Sequence, residues 1–165
     1  MKNQLIYELT NNNLQEILTI VNDAAKVYKG KIPNDRWKEP YMPVQELKRE
    51  IQEGVHFYGW KEKGALIAVM GMQRVNDVTL IRHAYVLTSH QRVGIGEKLL
   101  KYLLVLSQTP KVYVGTWQAA QWAIEFYQKH GFRLVSTQEK NKLLNVYWSI
   151  PKRQVETSVV LELER

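Results

Sequence analysis

The sequence predicts a mixed α/β fold in a single domain spanning residues 1–165, with helices on both faces of one sheet. Three observations carry this. A chain of 165 residues can bury one proper core. Its apolar positions alternate between strand-like and helix-like periods. The segments run β-α-α-β-β-β-α-β-α-β-β, which mixes antiparallel meanders with helical crossovers.

Leu5 to Leu9 reads as a short strand, and Asn12 or Asn13 can cap the helix after it. Leu14, Ile17, Leu18, Val21, Ala24, Ala25 and Tyr28 form one face of that helix. The stretch KGKIPNDRWKEPYMP follows, with three prolines in its fifteen residues. It is too broken for regular structure and too aromatic for a solvated linker. Pro43 suits the first turn of a second helix that carries Leu47 and Ile51 and ends at Gly54.

A β-rich block comes next. VHFYGW and ALIAVMGM flank a turn at Glu62-Lys63-Gly64, and Asn76-Asp77 turns the chain into VTLIRHAYVL. The segment QRVGIGEKLL then opens a helix stopped near Pro110. KVYVGTW is a strand. Ala119, Ala123, Phe126, Tyr127 and His130 mark a further helix that Gly131 ends. FRLVS and VETSVVLEL close the chain as strands.

Composition narrows the function classes. The chain has no cysteine, which excludes disulfides, thiolate metal sites and cysteine nucleophiles; no metal site is expected. The absence of cysteine fits a cytoplasmic protein. No stretch approaches the roughly 18 apolar residues of a membrane span, and MKNQLIYEL lacks the apolar run of a secretory signal. The net charge of +7 suits an anionic partner such as a phosphorylated cofactor. Its basic residues are scattered and no nucleic-acid-reading motif is visible, so nucleic acid is not expected.

The glycine pair in QRVGIG does not complete the dinucleotide fingerprint, because Leu99 stands where the third glycine belongs. Nor does it match the phosphate loop of nucleotide hydrolases, since no Ser or Thr follows Lys98. Its physical content remains. Gly94 and Gly96 admit conformations closed to residues with a Cβ, and the helix start behind them offers unpaired N–H groups to an anion. Gln91 and Arg92 add side-chain donors there. On these residues alone, a ligand-free glycine helix start is the stronger reading.

Two blocks in order carry a resemblance. Gln91-Arg92-Val93-Gly94-Ile95-Gly96 fits [QR]-x-x-G-x-[GA] between a strand and a helix. Ala123 to Phe132, AIEFYQKHGF, fits A-[IV]-x-F-Y-x-K-x-G-F one β-α unit later. The sequence thereby resembles the GNAT superfamily of acetyl-CoA-dependent N-acetyltransferases. The resemblance implies a mostly antiparallel sheet with one splayed parallel pair, Val78 to Leu87 beside Lys111 to Thr116. It implies acetyl-CoA as co-substrate. Backbone groups of Val86 and Thr88 would bind pantetheine, an N–H of Val86 or Leu87 would polarise the thioester carbonyl, and Gln91, Arg92, Val93, Gly94, Ile95 and Gly96 would hold the pyrophosphate.

The implied reaction is direct attack of a primary amine, on a small molecule or a peptide, on the thioester. Tyr127 stands at the family's tyrosine position and is the candidate general acid. Leu80 occupies the place of the family's frequent strand glutamate, so His83 becomes the titratable candidate for the base, with a water chain as the alternative. Arg92 replaces a common glycine, and Ala120 a common cofactor-contacting asparagine. These departures keep a non-catalytic acyl-CoA-binding or regulatory module in view as the competing reading. In this fold the segment around the first two helices covers the acceptor. There Asp35 and Glu39 suit an ammonium, Trp37 and Tyr41 suit stacking, and Arg36 suits a carboxylate. Tyr147-Trp148 would line the same cleft or an interface in a homodimer.

Overall fold

The computed structural model describes residues 5–91 and 93–165. In chain order the elements are β1 (Ile6–Glu8), α1 (Leu14–Ala24), α2 (Val44–Gln52), β2 (His56–Glu62), β3 (Ala65–Val75), β4 (Val78–Val86), α3 (Ile95–Ser107), β5 (Lys111–Trp117), α4 (Gln121–Lys129), β6 (Arg133–Leu134), α5 (Thr137–Tyr147), α6 (Lys152–Glu156) and β7 (Ser158–Glu164). The strands form one sheet in the order β1-β2-β3-β4-β5-β7-β6. It is mostly antiparallel with one parallel pair, as expected.

The chain divides into two compact units. The first comprises the described residues of Met1–Val27, with Lys38–Arg74 and Ile81–Gln108; the second comprises Tyr28–Trp37, Val75–Leu80 and Thr109–Arg165. In the first, β1 pairs antiparallel with β2, and β2 with β3 from His56↔Met72 to Glu62↔Ala65. Ile17, Leu18, Ile20 and Val21 of α1, Leu47 of α2, Phe57 of β2 and Val69 of β3 build its core. The helical periodicity of α1 thus does what its spacing predicts. Asn13 stands at the N-cap of α1, as expected, but its side chain makes no capping bond there. Thr10 caps a short 3-10 turn at Asn11–Asn13 that leads into α1, and Asn13 accepts from the Thr10 N–H.

In the second unit β7 pairs antiparallel with β5 along its whole length, from Lys111↔Glu164 to Trp117↔Ser158, and β6 pairs with β7. Val78, Leu80, Tyr113, Val135, Leu144 and Val160 form the core here. The last third of the chain departs most from the sequence reading. Helix α5 stands where no element was expected, and α6 takes Val155 and Glu156 from the start of the expected closing strand. FRLVS shortens to the two residues of β6, and the closing strand begins only at Ser158. The missed signal was local. Ser136 caps α5 by accepting from the Glu139 N–H, and Pro151 precedes α6. Lys140 is buried and donates from Nζ to the Val155 carbonyl at 2.7 Å, tying α5 to α6. Tyr147 stacks on Tyr113, and Trp148 covers Gly115, so both rings pack the second core.

Candidate active site

The turn from β4 into α3 is built as a backbone cradle. Gly94 precedes α3 with φ of 83°, a left-handed conformation that a Cβ disfavours. A Cβ there would meet nothing within 4 Å, so the dihedral and not crowding calls for glycine. Gly96 differs from expectation: it lies inside the first turn of α3 with helical backbone. The first helical bond runs from the Lys98 N–H to the Gly94 carbonyl at 3.2 Å, and no side chain caps the helix. The N–H groups of the first turn therefore have no acceptor within the helix and open toward Val93 and Gly94, both exposed. This geometry fits a pyrophosphate. Arg92 lies outside the described residues.

Hydrogen bonds in the same turn sort the other expected backbone contacts. The Leu87 N–H donates to the Ile67 carbonyl at 2.9 Å. The Thr88 N–H donates to Asp23 Oδ2 at 2.9 Å, and its hydroxyl also donates to Asp23. Both N–H groups are thus committed within the protein. Strand alternation turns the Val86 N–H away from β3, opposite to that of Leu87. Gln91 bends back and donates from Nε2 to the Val86 carbonyl at 3.0 Å. Its side chain braces the turn.

Three residues upstream of Val86 the strand is distorted. His83 has φ of 53°, a left-handed conformation that costs about 1–2 kcal/mol for a residue with a Cβ. Gly71 on β3 permits the distortion, since a Cβ there would stand 2.9 Å from the Arg82 carbonyl oxygen. The His83 ring stacks on Phe57 with centroids 5.9 Å apart, and Nε2 lies 2.9 Å from both carboxylate oxygens of Glu50. Arg82 Nη2 reaches the same carboxylate at 2.6 Å, and Arg82 Nη1 donates to Gln73. Glu50 is 2% exposed. Burial pushes its pKa up, but His83 and the Arg82 guanidinium outweigh burial and hold it below the ordinary value.

In the second unit Tyr127 is buried on α4, edge-on to Phe126 and Phe132. Burial, with a smaller contribution from Tyr28, raises its pKa well above that of a free phenol. It stays protonated at neutral pH, the form a general acid needs. Of the acceptor-segment candidates, Asp35 is exposed and bound by Arg153, Nε to Oδ2 at 2.9 Å. That hydrogen bond lowers its pKa. Trp37 belongs to the same unit, whereas Glu39 and Tyr41 belong to the first, where Tyr41 packs on the core. Arg36 Nε is buried without a hydrogen-bond partner.

A family model described as acetyltransferase (GNAT) domain matches residues 17–146. The chain belongs to the GNAT acetyltransferase family. It is an acyltransferase, and acetyl-CoA is its co-substrate. Similar solved structures share the fold at low identity. An acetyltransferase of the GNAT family from Staphylococcus aureus Mu50 has a TM-score of 0.73 at 17% identity, covering 96% of this chain and 97% of that one. A PaiA N-acetyltransferase from Thermoplasma acidophilum, crystallised with coenzyme A, has a TM-score of 0.74 at 15% identity, covering 97% and 98%. A ribosomal-protein-alanine N-acetyltransferase from Brucella melitensis has a TM-score of 0.68 at 16% identity, covering 98% and 100%. No helix among the described residues is long and apolar enough to cross a membrane.

Within this GNAT chain the departures from the family pattern have structural correlates. Leu80, at the glutamate position, is fully buried in the second core. Ala120, at the asparagine position, is buried and precedes α4 without a side-chain cap. Sequence reasoning missed Glu50 and Asp23, which hold His83 and Thr88. Glu50 had a legible signal: it lies three residues after Leu47 and one before Ile51, on the apolar face of α2. A carboxylate on a buried face needs a cationic partner.

Proposed function

We propose that the chain, as one N-acetyltransferase domain over residues 1–165, moves the acetyl group of acetyl-CoA to a primary amine of a small molecule or peptide. The amine attacks the thioester carbon directly in a ternary complex. The C–N bond forms, the C–S bond breaks, the amine gives up a proton and the departing thiolate gains one. The observation carrying this reading is the uncapped start of α3 behind left-handed Gly94, inside the family's phosphate motif. The loop from Gln91 to Gly96 holds the pyrophosphate with backbone N–H groups. The Val86 N–H polarises the thioester carbonyl, because those of Leu87 and Thr88 are already donated.

His83 accepts the amine's proton, and Tyr127 supplies a proton to the thiolate. A lysine-like amine has a pKa of about 10.4 and is mostly protonated at neutral pH, so attack needs a base. The segment with Asp35, Trp37, Glu39 and Tyr41 receives the acceptor. Thiol release from acetyl-CoA with a panel of amines tests the reading. Tyr127→Phe should lower kcat by roughly 10²-fold while leaving acetyl-CoA affinity unchanged. Equal turnover of the variant at saturating substrate removes Tyr127 from the mechanism.

A further inference from the structure

We propose that Glu50 is a positioning residue for the acyl transfer: it fixes His83 as the Nε2–H tautomer and leaves Nδ1 as the basic nitrogen. The inference rests on the reading of His83 as the base and deepens it. The geometry carries it. Both carboxylate oxygens lie 2.9 Å from Nε2, and an ionised carboxylate can only accept. The proton on that nitrogen is therefore held there in both charge states of the ring. Only Nδ1 gains and loses a proton.

The surroundings lock this arrangement. Glu50 is almost fully buried on α2, and Arg82 on β4 binds the same carboxylate, so the acid cannot swing away. Phe57 on β2 fixes the ring plane. The left-handed φ of His83 turns its side chain out of ordinary strand alternation, and Gly71 on β3 makes room for the displaced Arg82 carbonyl. The charged groups acting on the dyad are Glu50 and Arg49 from α2 and Arg82 from β4, while β3 contributes the uncharged Gln73. Glu50 and His83 supply a base from α2 and β4 jointly, where the strand position of the family's glutamate is occupied by Leu80.

The test combines kinetics with imidazole nitrogen NMR on the full chain, comparing wild type with Glu50→Gln, Glu50→Asp and His83→Gln. His83→Gln should lower kcat by roughly 10²-fold and abolish the acidic limb of the pH–rate profile. Glu50→Gln should lower kcat by roughly tenfold, because an amide can donate as well as accept and no longer holds one tautomer. Glu50→Asp should restore part of the rate. The wild-type spectrum should show His83 Nδ1 unprotonated above the limb, and Glu50→Gln should mix the tautomers. If His83→Gln retains the wild-type rate and profile, the reading of His83 as base is lost. If His83→Gln is impaired while Glu50→Gln keeps the wild-type rate and tautomer, the Glu50 proposal alone is overturned. The NMR spectrum of folded Glu50→Gln reads the tautomer directly, even where the variant's activity is low.

Discussion

Two carboxylate–arginine pairs in this molecule show how burial changes the meaning of one contact. Asp35 and Arg153 meet at 2.9 Å on the surface of the second unit, where water competes for both. Glu50 and Arg82 meet at 2.6 Å in the first, with the carboxylate buried and His83 as its second partner. A surface pair is screened and holds its residues only lightly. A buried carboxylate has lost its water, so each partner becomes obligatory. The exposed pair can therefore open for a ligand, whereas the buried trio holds geometry.

The largest expected effect separates the pairs by stability. Glu50→Ala leaves Arg82 and His83 without their anion and should cost about 3–5 kcal/mol. Asp35→Ala should leave the urea midpoint unchanged. Equal midpoints for the two variants would erase the distinction. Acid sharpens it further. Glu50 has a folded pKa below its ordinary 4.5, so its contribution is present above that value. It is lost as pH falls through the lower folded pKa. Wild type should lose stability more steeply than Glu50→Gln below about pH 4.5, as read from urea midpoints across pH.

A smaller effect concerns the glycines of the cradle. Gly94→Ala should cost about 1–2 kcal/mol, because its φ is left-handed, and should weaken acetyl-CoA binding. Gly96→Ala sits in helical backbone and should keep or raise stability by up to about 1 kcal/mol. Matching thermal shifts for the two would contradict their different conformations. The smallest effect lies at the exposed pair. Asp35→Ala should raise the acceptor KM a few-fold, as should Trp37→Ala, with acetyl-CoA affinity unchanged. Unchanged acceptor kinetics in both would remove this segment from the site.

What the sequence disclosed follows the range of the interactions. The strands around residues 56–86, α3 and α4 were legible because apolar period, turn residues and glycines are local signals. Helices α5 and α6 were missed although Ser136 and Pro151 mark their starts, because neither has a strong apolar face: α5 buries Lys140 and Leu144, and α6 buries none of its residues. The phosphate loop was legible as a spacing. The commitment of the Thr88 N–H to Asp23, 65 residues away, was not. The same holds for Glu50 and His83, which lie 33 residues apart and meet only because α2 and β4 fold together. Sequence patterns report what one element needs, whereas long-range polar partners are chosen by the fold.

The backbone at His83 has a consequence for laboratory evolution. Selection for heat resistance alone favours residues content with positive φ, and His83→Gly relaxes that strain at one step. The same step strips the buried Glu50 of one of its two partners and leaves Arg82 alone to hold the carboxylate, so part of the gain is lost. Heat selection should therefore seldom fix glycine at 83, and a lineage that must also retain its chemistry should hold His83 and Glu50 and seek its stability elsewhere.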